Sequence, residues 1–117
     1  AGNYKYLANE VAIGMTMPYS TIEILRQRLT PAALSRAVLL AETFTPDNGV
    51  EPGFVDRVVA TEAELMPAAL EFAKSTSALN AAAHSASKKR LRADSLEAIH
   101  AGLTKDNQDW KKLFSAS

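Results

Sequence analysis

Cysteine is absent from this chain, which excludes a disulfide framework and every thiolate metal site. The absence suits a reducing compartment, and a cytoplasmic protein is the expectation. An excess of either charge is lacking too. Lys plus Arg number 13 and Asp plus Glu number 13, so no overall field points to nucleic acid or an anionic membrane. No apolar run approaches the ~18 to 20 residues that a membrane helix needs. Residues 1–20 lack the charged start and continuous apolar stretch of a signal peptide. A Ser/His/Asp set, a P-loop and a dinucleotide glycine fingerprint are all missing. His84 and His100 stand apart with no ligand spacing around either, so both read as ordinary helix positions and no metal is expected.

What remains is a helical sequence with a thin core. Of the 117 residues, 47% are apolar, but 21 are Ala, and each buries far less area than a Leu or Phe. That burial must offset ~1–2 kcal/mol of backbone entropy per ordered residue. The expectation is a helical layer that depends on something else to cover it.

Periodicity and punctuation divide the chain into short elements. Tyr4, Tyr6 and Ala8 alternate with Lys5 and Leu7, which predicts a short strand. After Pro18, Ser20 and Glu23 have capping-box spacing, opening a helix over about 21–29 with Ile22, Leu25 and Leu29 on one face and Arg26 and Arg28 turned away. Thr30-Pro31 starts a second helix, about 31–41, with Leu34, Val38 and Ala41 in one stripe. Thr45-Pro46 opens only a short helix, because Gly49 weakens it and Pro52-Gly53 stops it. Phe54 to Val59 reads as a strand. Thr61 with Glu64 caps a further helix, kinked by Pro67, with Leu65, Ala69 and Phe72 facing inward. The chain is helical from Ala78 onward, with a break expected at Arg92 to Asp94, where Asp94 and Glu97 repeat the cap spacing. Leu96, Ile99, Leu103, Trp110 and Leu113 then follow helical spacing.

Two segments carry a resemblance. Asn9-Glu10-Val11-Ala12-Ile13-Gly14-Met15-Thr16-Met17-Pro18 places a carboxylate four residues before a glycine and eight before a proline. Gly53-Phe54-Val55-Asp56, followed by Val58-Val59, comes after paired helices and a short helix. Together these segments resemble the crotonase superfamily, the enoyl-CoA hydratase/isomerase family, over about residues 4–77. The last forty residues resemble it only in helical character. In that family the first segment lies past the middle, so the resemblance implies the C-terminal part of a longer enzyme. It implies an α/β crotonase-like (spiral ββα) fold, of which this fragment is mainly α-helical with one or two short strands. Residues 1–77 would end the crotonase core, and residues 78–117 would form a helical oligomerisation region.

The resemblance also implies chemistry. The family acts on acyl-CoA thioesters, using two backbone N–H donors, the oxyanion hole, to stabilise an enolate. Glutamates move the proton or activate water: hydratases use two, and isomerases can work with one. Glu10 corresponds to the second of these, so it is the candidate acid/base, while the oxyanion donors and the other acid would lie in a missing N-terminal half. No cofactor is implied, because coenzyme A enters as part of the thioester substrate. A homotrimer or hexamer would be the assembly. Departures from the family pattern lie at Tyr19-Ser20-Thr21-Ile22, where a glycine-rich stretch is common, and at Gly49 and Pro52. The first bears on the acyl end of the pocket, and both leave the reaction subtype open.

Other features keep two readings. Lys88, Lys89 and Arg90, with Arg92, are a solvated basic face near a helix end or a contact for CoA phosphates. Nucleic-acid binding ranks below both, because no aromatic platform accompanies them. Trp110, Leu113 and Phe114 pack between helices, or meet a subunit or the adenine. For the whole, the alternatives to an enzyme are a non-catalytic helical piece for core completion and trimer assembly, and an unrelated small helical adaptor.

Overall fold

Thr-Pro pairs set the first boundaries. In the computed structural model, which describes residues 2–115, Thr30 Oγ1 accepts a hydrogen bond from Ala33 N at 3.2 Å. Pro31 occupies the first helical position, where its missing N–H costs nothing. The order of elements is α1 (Tyr19–Arg28), α2 (Pro31–Leu40), α3 (Leu65–Thr76) and α4 (Ala81–Ser115). Single 3-10 turns lie at Val11–Ile13, Pro46–Asn48 and Glu62–Glu64. The short helix predicted after Thr45-Pro46 is the second of these turns, and Asn48 Oδ1 accepts from Thr45 N at 2.7 Å to close it.

The buried centre is small. Leu34 and Val38 of α2 pack with Met17, Leu29, Ala33, Ala37 and Phe44, and Ile22 and Leu25 of α1 close over them. Ala33 and Ala37 let α2 approach closely, so alanine contributes proximity here where larger residues contribute area. Phe44, 2% exposed, meets Phe54 at 4.8 Å with its ring tilted by 43°, and Phe54 stacks at 5.4 Å on Tyr6. Beside this aromatic cluster, Tyr6 N donates to Phe44 O at 2.8 Å and Phe44 N donates to Tyr6 O at 2.9 Å. That is one hydrogen-bonded antiparallel pair.

The pair is all that stands where strands are expected. Among the described residues neither 4–8 nor 54–59 is a strand, and Tyr6 with Phe44 is an isolated bridge. The reason is hydrogen-bond accounting: an extended segment needs a neighbour for its N–H and C=O groups, and no further ladder forms. Residues 52–56 are instead fixed by other contacts. Thr30 N donates to Pro52 O at 3.0 Å. Arg28, at the end of α1, reaches Gly53 O with Nε and Asp56 with Nη2, both at 3.1 Å. Gly53 has φ +105°, and a Cβ there would lie 2.3 Å from Arg28 O.

Three helix expectations change. The Ser20–Glu23 box does not form: α1 starts at Tyr19, with Pro18 at its N-cap, and Ser20 faces another partner. Leu65, Ala69 and Phe72 do not face the core. They are exposed along a shallow cleft of about 210 Å³ shared with Asp56, Arg57 and Val59. Thr61 does mark the start: Glu64 Oε2 accepts from Thr61 N at 3.2 Å, and Pro67 falls in the first turn of α3, where its missing N–H is harmless. The break at Arg92 to Asp94 is absent, since α4 runs unbroken for 35 residues. Neither Gly nor Pro occurs from Ala81 to Ala101, and Asp94 and Glu97 lie exposed on its surface. Its start is capped by Asn80 Oδ1, which accepts from Ala83 N at 2.9 Å.

Gly53→Ala therefore imposes a left-handed backbone on a residue with a Cβ and a clash with Arg28 O. The expected loss is about 2–4 kcal/mol, read as a lower denaturant midpoint with an unchanged m-value.

Candidate active site

Glu10 is presented by a tight backbone turn. It precedes the 3-10 turn Val11–Ile13, and its carbonyl accepts from Ile13 N at 3.1 Å and Met15 N at 2.8 Å. Gly14 closes the turn at φ +79°, a conformation that favours glycine. The Glu10 side chain is half-buried, and its Oε2 is buried without a hydrogen-bond partner. Buried carboxylate oxygens nearly always have donors, so such an exception calls for a reason. Catalytic sites are one setting in which such exceptions occur.

Beyond the turn, Met17 enters the core and Pro18 leads into α1. The first turn of α1 is bound by a residue from the far end of the chain. Asp106 of α4 accepts from Tyr19 N at 2.7 Å, from Ser20 N at 2.9 Å and from the Ser20 hydroxyl. Gly102, one turn earlier on α4, lies so close to α1 that a Cβ would sit 2.9 Å from Ser20 N. A charged cap and a missing side chain together dock α4 on α1. Beside the clamp lies an apolar cleft of about 460 Å³ between residues 15–19 and α4, with Trp110 and Leu113 on its helical wall. Glu10 is not among the residues lining it.

Asp106 was not visible in the sequence as a functional residue. The signals used there are local spacings, whereas this carboxylate lies 86 residues from the serine it binds. Burial pushes its pKa up, but the Ser20 hydroxyl and the Ser20 and Tyr19 N–H groups outweigh that and hold the carboxyl below its usual range.

Lys88, Lys89 and Arg90 lie exposed on α4. Lys88 and Arg90 line an open cleft of about 780 Å³ with His84, Ser87, Leu91 and Arg92. Trp110 and Phe114 stack on each other at 5.8 Å along α4. Among the described residues no three His, Asp or Glu side chains converge in a metal-binding group. No helix among them is long and apolar enough to cross a membrane.

Comparison with known proteins places this geometry. The family described as Enoyl-CoA hydratase/isomerase matches residues 1–117. The enoyl-CoA hydratase EchA3 of Mycobacterium ulcerans Agy99 superposes with a TM-score of 0.85 at 41% identity, covering 94% of this chain and 48% of its own. An enoyl-CoA hydratase/isomerase family protein of Pseudomonas syringae gives 0.86 at 39%, covering 92% and 46%. A Mycobacterium tuberculosis protein, described in one structure as an enoyl-CoA isomerase and in another as a probable enoyl-CoA hydratase, gives 0.84 at 42% and 0.85 at 40%. The first of these covers 92% of this chain and 47% of its own, the second 97% and 48%. The fold is crotonase-like. The chain belongs to the enoyl-CoA hydratase/isomerase family, the crotonases. It spans about half the length of the solved structures it matches, 48% of the M. ulcerans protein. Comparison with curated proteins finds no match.

A depressed folded-state pKa fixes the sign of the pH dependence at Asp106. The unfolded chain takes up the proton more readily, so the clamp's contribution is complete above the usual carboxylate range and is lost as pH falls through the folded value. Asp106→Asn should cost about 1–2 kcal/mol near pH 7. The difference between variant and parent should shrink toward about pH 3, as measured by urea unfolding at the two pH values.

Proposed function

We propose that this chain is the C-terminal part of an acyl-CoA-processing enzyme of the hydratase/isomerase type, with Glu10 as its acid/base. The observation that carries the reading is the buried, unpartnered Oε2 of Glu10 on a turn fixed through its backbone. In such an enzyme the thioester carbonyl polarises into an oxyanion hole as charge moves onto its oxygen. Glu10 then exchanges a proton with carbon or with an adding water. The oxyanion donors and any second acid are supplied by the N-terminal half of the complete enzyme. Hydratase or isomerase chemistry turns on that second acid: its presence favours addition of water, and an apolar residue in its place favours proton transfer along the chain.

Lys88, Lys89 and Arg90 would contact the phosphates of the coenzyme A moiety as exposed cations. The unpacked apolar side chains of α2, α3 and α4 support a second, compatible role in core completion and in a trimer or pair of trimers. Leu40 is 72% and Leu91 81% exposed.

Two experiments test the proposal. Glu10→Gln in the full-length enzyme should lower kcat on crotonyl-CoA by at least ~10²-fold, while the 117 residues alone should give no turnover. An unchanged rate in the variant would reduce Glu10 to a scaffold residue. Replacing Lys88, Lys89 and Arg90 together by Gln should raise KM roughly 5-fold with kcat unchanged. An unchanged KM would leave them a solvated face.

A further inference from the structure

The segment that carries Glu10 is held at two ends. Upstream, Tyr6 is fixed by its paired backbone bonds to Phe44 and by its stack on Phe54. Downstream, Tyr19 and Ser20 are fixed by Asp106. Between them the main-chain bonds are local: Asn9 O and Glu10 O with Ile13 N, Glu10 O with Met15 N, Val11 O with Gly14 N, and Pro18 O with Ile22 N of α1. Met17 lies in the buried core, Ala8 packs against it, and the turn Val11–Ile13 touches α2. The position of Glu10 therefore depends on the two anchors together with these contacts to the core and α2. The upstream anchor is internal to the core, whereas the downstream anchor depends on one carboxylate of α4.

We infer that Asp106 is a positioning residue for Glu10: by clamping the first turn of α1 it fixes the downstream end of the loop that presents the acid/base carboxylate. The inference rests on the reading of Glu10 as acid/base. Asp106 touches no reacting atom and acts through Tyr19 and Ser20. Two of its three bonds satisfy N–H groups of the helix start and the third takes the Ser20 hydroxyl, and Gly102 admits α4 close enough to make them. Slackening this end lets Pro18 and the preceding turn shift. A displacement of about 1 Å at a proton-transfer group is enough to cost from ten- to a hundredfold in rate.

The test compares Asp106→Asn, Ser20→Ala, Gly53→Ala and Glu10→Gln in the full-length enzyme, well below their melting temperatures. Asp106→Asn should lower kcat roughly 10-fold with KM within about twofold of the parent. Ser20→Ala, which removes one of the three bonds, should lower kcat by about 3-fold. Amide exchange of a peptide spanning residues 15–22 should quicken in Asp106→Asn. Gly53→Ala, destabilised away from the clamp, should keep kcat. On the Glu10→Gln background, Asp106→Asn should add no further loss, because a residue acting through Glu10 has nothing left to position. An unchanged kcat or exchange rate in Asp106→Asn overturns the inference. So does an equal loss in Gly53→Ala, or a full additive loss in the double variant. Retention of activity by Glu10→Gln itself would overturn the acid/base reading instead, so the two failures are distinct.

Discussion

The Asp106 carboxylate, seated on the first turn of α1, is the contact on which the arrangement of this chain depends. The 35 residues of α4 form a rod of about 52 Å, and most of its side chains lie in the open. It joins the rest by packing on α1, where its two buried residues, Gly102 and Asp106, stand one turn apart. Glycine removes the side chain that would hold the helices apart, and aspartate then meets three donors that no residue of α1 satisfies. Neither residue would dock the helix alone. Burying the Asp106 carboxylate without donors would carry a desolvation cost, and a glycine notch without a polar anchor would leave the start of α1 unsatisfied.

The local grammar of the chain was readable because it is set by neighbours in sequence. Thr30-Pro31, Thr45-Pro46 and Thr61 with Glu64 all mark helical starts, and Leu34 and Val38 enter the core as their spacing demands. Each of these effects acts over one helical turn. The candidate acid at Glu10 was readable by its family context. Its buried, unpartnered oxygen was not, because what surrounds a side chain depends on the fold.

The misreadings have a common cause. Ser20 and Glu23 have the spacing of a cap, but Ser20 has a stronger acceptor in Asp106, 86 residues away, and tertiary contact displaced the local motif. Asp94 and Glu97 have the same spacing within a run of good helix formers, where no glycine or proline makes ending the helix favourable. Phe54 to Val59 has strand composition, yet β-propensity expresses itself only beside another strand. The inward face assigned to Leu65, Ala69 and Phe72 presumed a core that α3 does not reach. Periodicity says which side of a helix is apolar, and only packing says what meets it.

Two carboxylates in this chain show opposite solutions to the same physical problem. Asp106 is surrounded by donors, which stabilise its anion and make it a structural cap. Glu10 Oε2 has no such donor. That oxygen is therefore not oriented by a hydrogen bond of its own. Its placement has to come from the main chain. Two amides hold the Glu10 carbonyl, Gly14 closes the turn, and anchors at Tyr6 and at Tyr19–Ser20 fix the loop from outside. The satisfied carboxylate of Asp106 holds the first turn of α1, next to the loop on which the buried, unpaired Glu10 oxygen sits.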